Sequence, residues 1–104
     1  MKRYKLDTID HISICVNSIN ASVQWYLDNY KCDLIYSDSS WAFLRFDNIK
    51  LALVANAEHP PHIAVLDDSV VEDPSCMEHR DGSISVYKKD IDRNFIEHIT
   101  YKKS

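Results

Sequence analysis

Two histidines and one glutamate in this chain have the types and positions that a divalent-metal site requires. His11 and His62 each head a strand-like segment, "HISICV" and "HIAVL", and Glu97 lies in the last such segment, "NFIEHITY". Successive side chains on a strand point to opposite faces, so each of the three shares a face with small or apolar neighbours. A carboxylate buried there needs a strong partner. Two imidazoles and one carboxylate are a facial ligand set that leaves open positions for water or substrate.

Each of these residues also has a plainer interpretation. A lone histidine on an apolar face is often a hydrogen-bonded structural residue, and His59 in "HPPH" is a rival for His62. Glu97 could pair with Lys50 across the sheet instead of binding a metal. A slip of one residue in the last strand would put His98 on the inner face in its place. From spacing alone, the metal site and these alternatives stay open.

The elements that must position the three residues form two similar halves. "DHISICV" alternates with period two, and "SINASVQWYLDNY" changes to helical spacing with Ser18 as the predicted N-cap. "KCDLIYSDSSWAFLRFDNIKLALVAN" predicts three strands with turns near "SDSS" and "DN". The second half begins with a similar His-Ile pattern and ends in a hairpin, "DGSISVYKKD" and "NFIEHITY". The segment between "HIAVLDD" and "DGSISVY", "SVVEDPSCMEHR", is too short for a full helix and a strand together, so this half is predicted to be truncated.

Composition narrows the domain count and the function classes. A chain of 104 residues is predicted to be one α+β domain, with a first βαβββ module at about 6–57 and a shortened one at about 60–104. The net charge is −4 and the few basic residues gather at the termini, so nucleic acid is not an expected partner. No apolar run approaches the roughly 20 residues that cross a bilayer, and the N-terminus has no signal-peptide pattern.

Cysteine and glycine usage excludes two further kinds of site. The three cysteines, Cys15, Cys32 and Cys76, form no C-x-x-C pair and are typical of reduced thiols in an intracellular protein. The single glycine, Gly82, rules out a glycine-rich phosphate loop. We therefore predict a cytoplasmic protein without a membrane span, a zinc knuckle or a nucleotide loop.

The chain resembles the vicinal oxygen chelate superfamily, the group of glyoxalases, bleomycin-resistance proteins and extradiol dioxygenases built from paired βαβββ modules. The similar segments are "IDHISICVNSINASVQWYLDNY", "PHIAVLDD" and "HRDGSISVYKKDIDRNFIEHITY", which cover most of the chain. The resemblance implies that His11, His62 and Glu97 are metal ligands. Ala52 occupies the place of another frequent ligand, so the chain is most similar to the His-His-Glu members, which include fosfomycin-resistance enzymes. Tyr87 matches a tyrosine that often lines the family's cavity.

Two departures from the family pattern affect these expectations. The usual D-P-D-G-N turn is "DIDRN" here, with Ile91 and Arg93 in place of proline and glycine. If this turn needs positive φ, Arg93 carries a steric cost, and Asn94 could take that role instead. A truncated second module would leave one side of the sheet uncovered, which favours a homodimer.

The resemblance implies a small metalloprotein in which two oxygens of a small substrate chelate the ion. The ion would be Mn, Fe, Zn or Ni and would act as a Lewis acid in a lyase-, transferase- or dioxygenase-like reaction. Tyr87 and Ser13 are the candidate catalytic residues, as hydrogen-bonding groups in the cavity. His79 could reach the cavity from the shortened connection, and Trp41 is interpreted as a packing residue. The alternative is a metal-free protein of the same fold that sequesters a drug-like molecule or serves as a structural dimer.

Overall fold

The computed structural model describes residues 6–55, 60–79 and 81–101, and it confirms the predicted mixed α+β architecture. The first half contains β1 (Ile9–Val16), α1 (Ile19–Asn29), β2 (Asp33–Ser37), β3 (Trp41–Arg45) and β4 (Lys50–Ala55). The second half contains β5 (His62–Leu66), a 3-10 helix (Asp68–Glu72), β6 (Met77–Glu78), β7 (Ser83–Lys89) and β8 (Phe95–Tyr101). These eight described strands form one curled sheet in the order β2-β3-β4-β1-β5-β8-β7-β6.

The sheet consists of two half-sheets of the same topology that meet at its centre. In the first half β1 pairs in parallel with β4, and in the second half β5 pairs in parallel with β8. The two leading strands, β1 and β5, then pair with each other in antiparallel fashion, with Ser13 opposite His62 and His11 opposite Ala64. The similar beginnings of the two halves in the sequence therefore correspond to the two central strands.

Helix α1 covers the outer face of the first half. Ser18 caps it as predicted, because its hydroxyl accepts a hydrogen bond from the Ala21 amide at 3.2 Å. The helix packs on strands β3 and β4 through a cluster of apolar side chains that are at least 92% buried: Ile19, Val23, Ala42, Leu44 and Leu53. No helix in the part of the chain that the structure describes is long and apolar enough to cross a bilayer.

The second half is truncated as predicted, but it keeps all four strands of its half-sheet. The five-residue 3-10 helix stands where the first half has α1, and β6 is only two residues long. Val70 of the short helix is 2% exposed, and the helix contacts β7 and β8. The connection is shortened at both the helix and β6, which agrees with the prediction that it is too short for a full helix and a strand together.

The turn before β8 places Arg93, not Asn94, in the left-handed region, with φ of 71°. Asn94 instead binds Asp90, donating from its amide at 2.9 Å and from its side chain at 3.1 Å. Asp90 also accepts from the Asp92 amide at 2.9 Å. These bonds to one carboxylate hold the turn, so the chain bears the cost of a non-glycine residue at positive φ.

The carboxylate of Asp67 joins the short helix to the outer face of β8. It accepts hydrogen bonds from the Ser69 amide at 3.0 Å, the Ser69 hydroxyl at 2.6 Å and His98 Nδ1 at 2.9 Å. The bonds from Ser69, then from His98, lower the pKa of Asp67 from 3.8 to about 2. A carboxyl whose pKa is lower in the folded state stabilises the fold above its unfolded pKa and loses that contribution as the pH falls towards 2.

We expect Asp67→Ala to lower the free energy of unfolding by about 1 kcal/mol at pH 7, less than the full pKa shift implies because the carboxyl is partly exposed. The difference from wild type should narrow as the pH falls from about 4 towards 2. Urea unfolding at several pH values measures both effects. Asp73→Ala, which removes bonds to Ser75 but no histidine contact, is the control and should cost less. Equal losses in the two variants at pH 7 would contradict a contribution from the Asp67–His98 pair.

Candidate metal centre

His11, His62 and Glu97 converge on the inner face of the sheet. They lie on the neighbouring strands β1, β5 and β8, and the register places Ala64 between His11 and Glu97. The three residues are 6%, 8% and 5% exposed. Glu97 Oε1 lies 3.5 Å from His11 Nε2 and 3.1 Å from His62 Nε2. One ligand atom from each residue lies within 4.8 Å of the others, so a single ion could bind all three.

The outer nitrogens of both imidazoles are held by hydrogen-bond acceptors. His62 Nδ1 lies 2.8 Å from the carbonyl oxygen of Pro60, which can only accept, so Nδ1 carries the hydrogen. His11 Nδ1 lies 2.8 Å from Asp10 Oδ2. Fixing the hydrogen on Nδ1 leaves the lone pair of Nε2 for a ligand. The Nε2 atoms of both imidazoles therefore face the Glu97 carboxylate, and a metal ion could lie among the three groups.

Electrostatics within this group favour an ionised Glu97. Burial alone would raise the pKa of this carboxyl, but hydrogen bonds from His11, His62 and Ser85 outweigh burial and lower it well below its usual range. Burial alone would lower the pKa of His11, but its bonds to Asp10 and Glu97 raise it above 6.5. Without a metal ion, the carboxylates of Asp10 and Glu97 therefore favour the protonated form of His11, and this positive charge would lie where the ion would otherwise bind.

Asp10 supports His11 from behind and was missed by sequence reasoning. Burial would raise the pKa of Asp10, but bonds from His11, Tyr101 and Lys50 lower it from 3.8 to about 2. Tyr101 donates to Oδ2 at 2.6 Å and Lys50 Nζ lies 3.1 Å from Oδ1. A register shift between Ile9 and His11 in the β1–β5 pairing accompanies this arrangement. Strict alternation would put the side chains of Asp10 and His11 on opposite faces, and a bulge can redirect a side chain. The period-two pattern therefore could not predict the contact between them.

The predicted residues Ser13 and Tyr87 line the same cavity as His11, His62 and Glu97, and its volume is about 360 Å³. Ser13 is 2% exposed, and its hydroxyl has no hydrogen-bond partner among the described residues. Burial, then the charge of Glu97, raises the pKa of Tyr87 far above 10, so this phenol stays neutral. Its ring packs edge-on against His62 with centroids 5.1 Å apart. The position of Ala52 in the cavity wall also agrees with its assignment on β4.

Two further residues reach the site from the second half. His79 lines the cavity, and its Nε2 lies 2.7 Å from the Ser85 hydroxyl and 3.8 Å from Glu97 Oε2. Ser85 is 1% exposed and also binds Glu97. The histidine was recognised from sequence only as a residue that could reach the cavity. Ser85 was missed, although it lies two residues from Tyr87 on β7 and therefore shares its face.

The structure places the residues that were alternatives to the predicted metal site in different positions. Lys50 pairs with Asp10 and not with Glu97. His98 faces the outer side of the sheet, where it binds Asp67 at 2.9 Å, so the last strand has the register that places Glu97 inside. His59 lies outside the described residues. Trp41, expected to be a packing residue, lines the cavity.

We expect Ser13→Ala to leave the free energy of unfolding unchanged or to raise it by up to about 1 kcal/mol, because it removes a buried hydroxyl that has no partner in the described part of the chain. Ser85→Ala is the matched control, and it should lower the stability by about 1–2 kcal/mol because its hydroxyl binds His79 and Glu97. Thermal and urea unfolding of the two variants measure this difference. A loss above about 1 kcal/mol in Ser13→Ala would mean that its hydroxyl is already bonded in the folded protein.

No protein-family model and no curated protein sequence matches the chain. Solved structures do match it, among them a variant of Streptomyces coelicolor methylmalonyl-CoA epimerase bound to 2-nitronate-propionyl-CoA. That structure has a TM-score of 0.76 at 18% identity, covering 95% of this chain and 100% of the other. Methylmalonyl-CoA epimerase from Mycobacterium tuberculosis has a TM-score of 0.77 at 15% identity, covering 99% and 94%.

A member of the glyoxalase/bleomycin resistance protein/dioxygenase superfamily from Vibrio splendidus 12B01 is also similar. It has a TM-score of 0.65 at 11% identity, covering 90% of this chain and 98% of the other. Identities this low establish the architecture and not the activity. The fold that the sequence resemblance implied is confirmed: the chain has the vicinal oxygen chelate fold.

Proposed function

We propose that this protein binds one divalent metal ion through His11 Nε2, His62 Nε2 and the carboxylate of Glu97. The observation that carries the proposal is the convergence of two imidazole Nε2 atoms and an ionised carboxylate in a buried position on the wall of a cavity. An ionised carboxylate buried beside two imidazoles needs positive charge nearby, and in this proposal a metal ion supplies it. A divalent ion satisfies all three groups and leaves coordination positions that face the cavity.

The substrate in this proposal is a small molecule with two neighbouring oxygen atoms. When bound, the ion would supply Lewis-acid stabilisation of negative charge on a substrate oxygen. Ser13, whose hydroxyl has no partner in the described structure, would hydrogen-bond to the substrate, and Tyr87, kept neutral by its raised pKa, would donate a hydrogen bond. Asp10 and the Pro60 carbonyl would hold the two imidazoles in orientation.

We also propose that the protein is a homodimer whose protomers each contain the two modules at about 6–57 and 60–104. Strand β2 lies at one edge of the sheet, and all five of its residues are exposed. Leu34, Ile35 and Tyr36 on this edge are 40–46% exposed. An edge strand with apolar side chains is a surface on which a second copy can pair.

A metal-free binding protein is the second candidate, because the cavity has apolar walls whether or not an ion is present. Its lining includes Trp41, Phe43, Val54 and Ile99, which could enclose a small apolar molecule. In that case a proton on His11, whose pKa is raised, would replace the ion among the three groups.

Metal content distinguishes the two candidates. Untagged protein is analysed by plasma mass spectrometry, stripped with a chelator and titrated calorimetrically with Mn, Fe(II), Zn and Ni, together with His11→Ala and His62→Ala. We expect one ion per chain in wild type, loss of that ion in both variants, and a rise in melting temperature on loading of wild type alone. An ion present at 100 times its Kd should add about 2.7 kcal/mol to the free energy of unfolding. No bound metal, with a melting temperature unchanged by all four ions, would contradict the metal site.

A further inference from the structure

The mouth of the cavity carries acidic side chains. Glu78 and Asp81 both line the cavity and are exposed, so they lie at its rim. Asp81 is fixed there because its Oδ1 accepts hydrogen bonds from the Ser83 amide at 2.9 Å and the Ser83 hydroxyl at 2.6 Å. Its charge also contributes to the raised pKa of Tyr101, which lines the cavity, so its field reaches the interior.

No basic side chain balances this charge among the described lining residues, none of which is Lys or Arg. The neighbouring Lys50 forms an ion pair with Asp10, with its Nζ 3.1 Å from Asp10 Oδ1. It also lies 5.0 Å from the centroid of the Phe43 ring and 4.9 Å from that of Tyr101. An anionic group at the rim would therefore lie near two carboxylates, and no Lys or Arg among the described lining residues would offset their charge.

The wall opposite the second half is aromatic and apolar. Trp41 and Phe43 on β3 pack edge-on with ring centroids 5.2 Å apart. Ala52 and Val54 on β4 continue this wall, and each is 4% exposed. The hydroxyl of Ser13, which is 2% exposed and has no hydrogen-bond partner among residues 6–55, 60–79 and 81–101, lies in the lining of the same cavity. These groups suit a compact, flat, largely apolar ligand that brings one hydrogen-bonding group to Ser13.

We propose that the site selects compact aromatic or apolar molecules with two adjacent oxygens whose remaining part is neutral or cationic, and that it disfavours carboxylate and phosphate tails. The proposal rests on the proposed metal function for the chelating oxygens, and on the rim for the charge selection. It separates this chain from the epimerase structures of similar fold that bind coenzyme A esters, which carry several phosphate charges.

A charge series with a constant chelating head tests this selection. Catechol (neutral), dopamine (cationic) and 3,4-dihydroxybenzoate (anionic) are titrated into Zn-loaded protein under anaerobic conditions by calorimetry. The same series is run on the double variant Glu78→Gln/Asp81→Asn, which keeps the side-chain shapes and the Asp81 acceptor atom. Comparing each ratio of dissociation constants between the two proteins cancels the intrinsic chelating strengths of the three probes.

We compare the ratio of the Kd of dihydroxybenzoate to the Kd of catechol in the two proteins. This ratio should be about three- to tenfold larger in wild type than in the double variant. Dopamine should show the opposite shift, and both shifts should shrink when the salt is raised from about 0.05 to 0.5 M. The proposal would be overturned if the Kd ratios of the probes were equal in the two proteins. It would also be overturned if wild type preferred the anionic probe and the double variant did not prefer it more strongly.

Stoichiometric Zn loading is measured first, so that failure of the metal site is distinguished from failure of the charge selection. If Zn does not load but the neutral and cationic probes still bind with the expected order, the charge selection stands and the metal function fails. If Zn loads and the relative affinities of the three probes are the same in wild type and the double variant, the charge selection is wrong and the metal function stands.

Discussion

Replacing Glu97 by Gln is expected to weaken divalent-metal binding by at least about 100-fold, because an amide supplies neither the negative charge nor the second strong oxygen donor. The substitution keeps the shape of the side chain and its place on β8. It therefore tests the charge at the position where the imidazoles of His11 and His62 meet. Calorimetric titration of chelator-stripped protein measures the change in Kd.

The matched control for this substitution is His98→Gln. His98 is the next residue on the same strand, but it faces the outer side of the sheet and binds Asp67. We expect His98→Gln to bind metal with the wild-type stoichiometry and within about twofold of the wild-type Kd. Loss of metal in His98→Gln with retention in Glu97→Gln would mean that the strand has the other register in solution, and the proposed site would be wrong.

Replacing Asp10 by Asn is expected to weaken metal binding by about 10- to 100-fold, although Asp10 is not a ligand. Its carboxylate accepts from His11 Nδ1 at 2.8 Å and so holds the lone pair of Nε2 towards the site. An amide is a weaker acceptor than an ionised carboxylate, and it can also present a donor to the ring. The bonds from Tyr101 and Lys50 that hold Asp10 in place would be weakened by the same change.

Asp67→Asn is the control for Asp10→Asn, because it makes the same chemical change beside a histidine on the opposite face. It should alter stability but leave the metal Kd within about twofold of wild type. Nitrogen-15 shifts of the imidazole rings add a second readout, and we expect Asp10→Asn to change the balance of tautomers at His11 alone. An unchanged metal Kd in Asp10→Asn would show that the hydrogen bond to His11 does not support binding.

Sequence periodicity predicted the parts of the site that lie on regular strands. His11, His62 and Glu97 each occupy a position where alternation alone decides which face a side chain takes, and the structure brings the three together. The place of Ala52 on β4 followed instead from the family resemblance. Long-range pairing was accessible because the two halves begin alike, which predicts that their leading strands play equivalent parts.

Irregular backbone limited what the sequence could reveal. Asp10 reaches His11 beside a register shift, where the period-two rule does not apply. His79 precedes β7 in a connection with only a two-residue strand, so no pattern fixed its direction. Arg93 has a positive φ, a backbone conformation that favours glycine. Three hydrogen bonds to the Asp90 side-chain oxygens offset the steric cost of this conformation.

The most direct test of the metal site is a crystal structure of the protein loaded with zinc, with diffraction data collected on both sides of the zinc absorption edge. The proposed site predicts one anomalous peak per chain, bonded at about 2.0–2.2 Å to His11 Nε2, His62 Nε2 and a carboxylate oxygen of Glu97. A peak bonded instead to Asp67 and His98 on the outer face, or no peak at full zinc concentration, would contradict it.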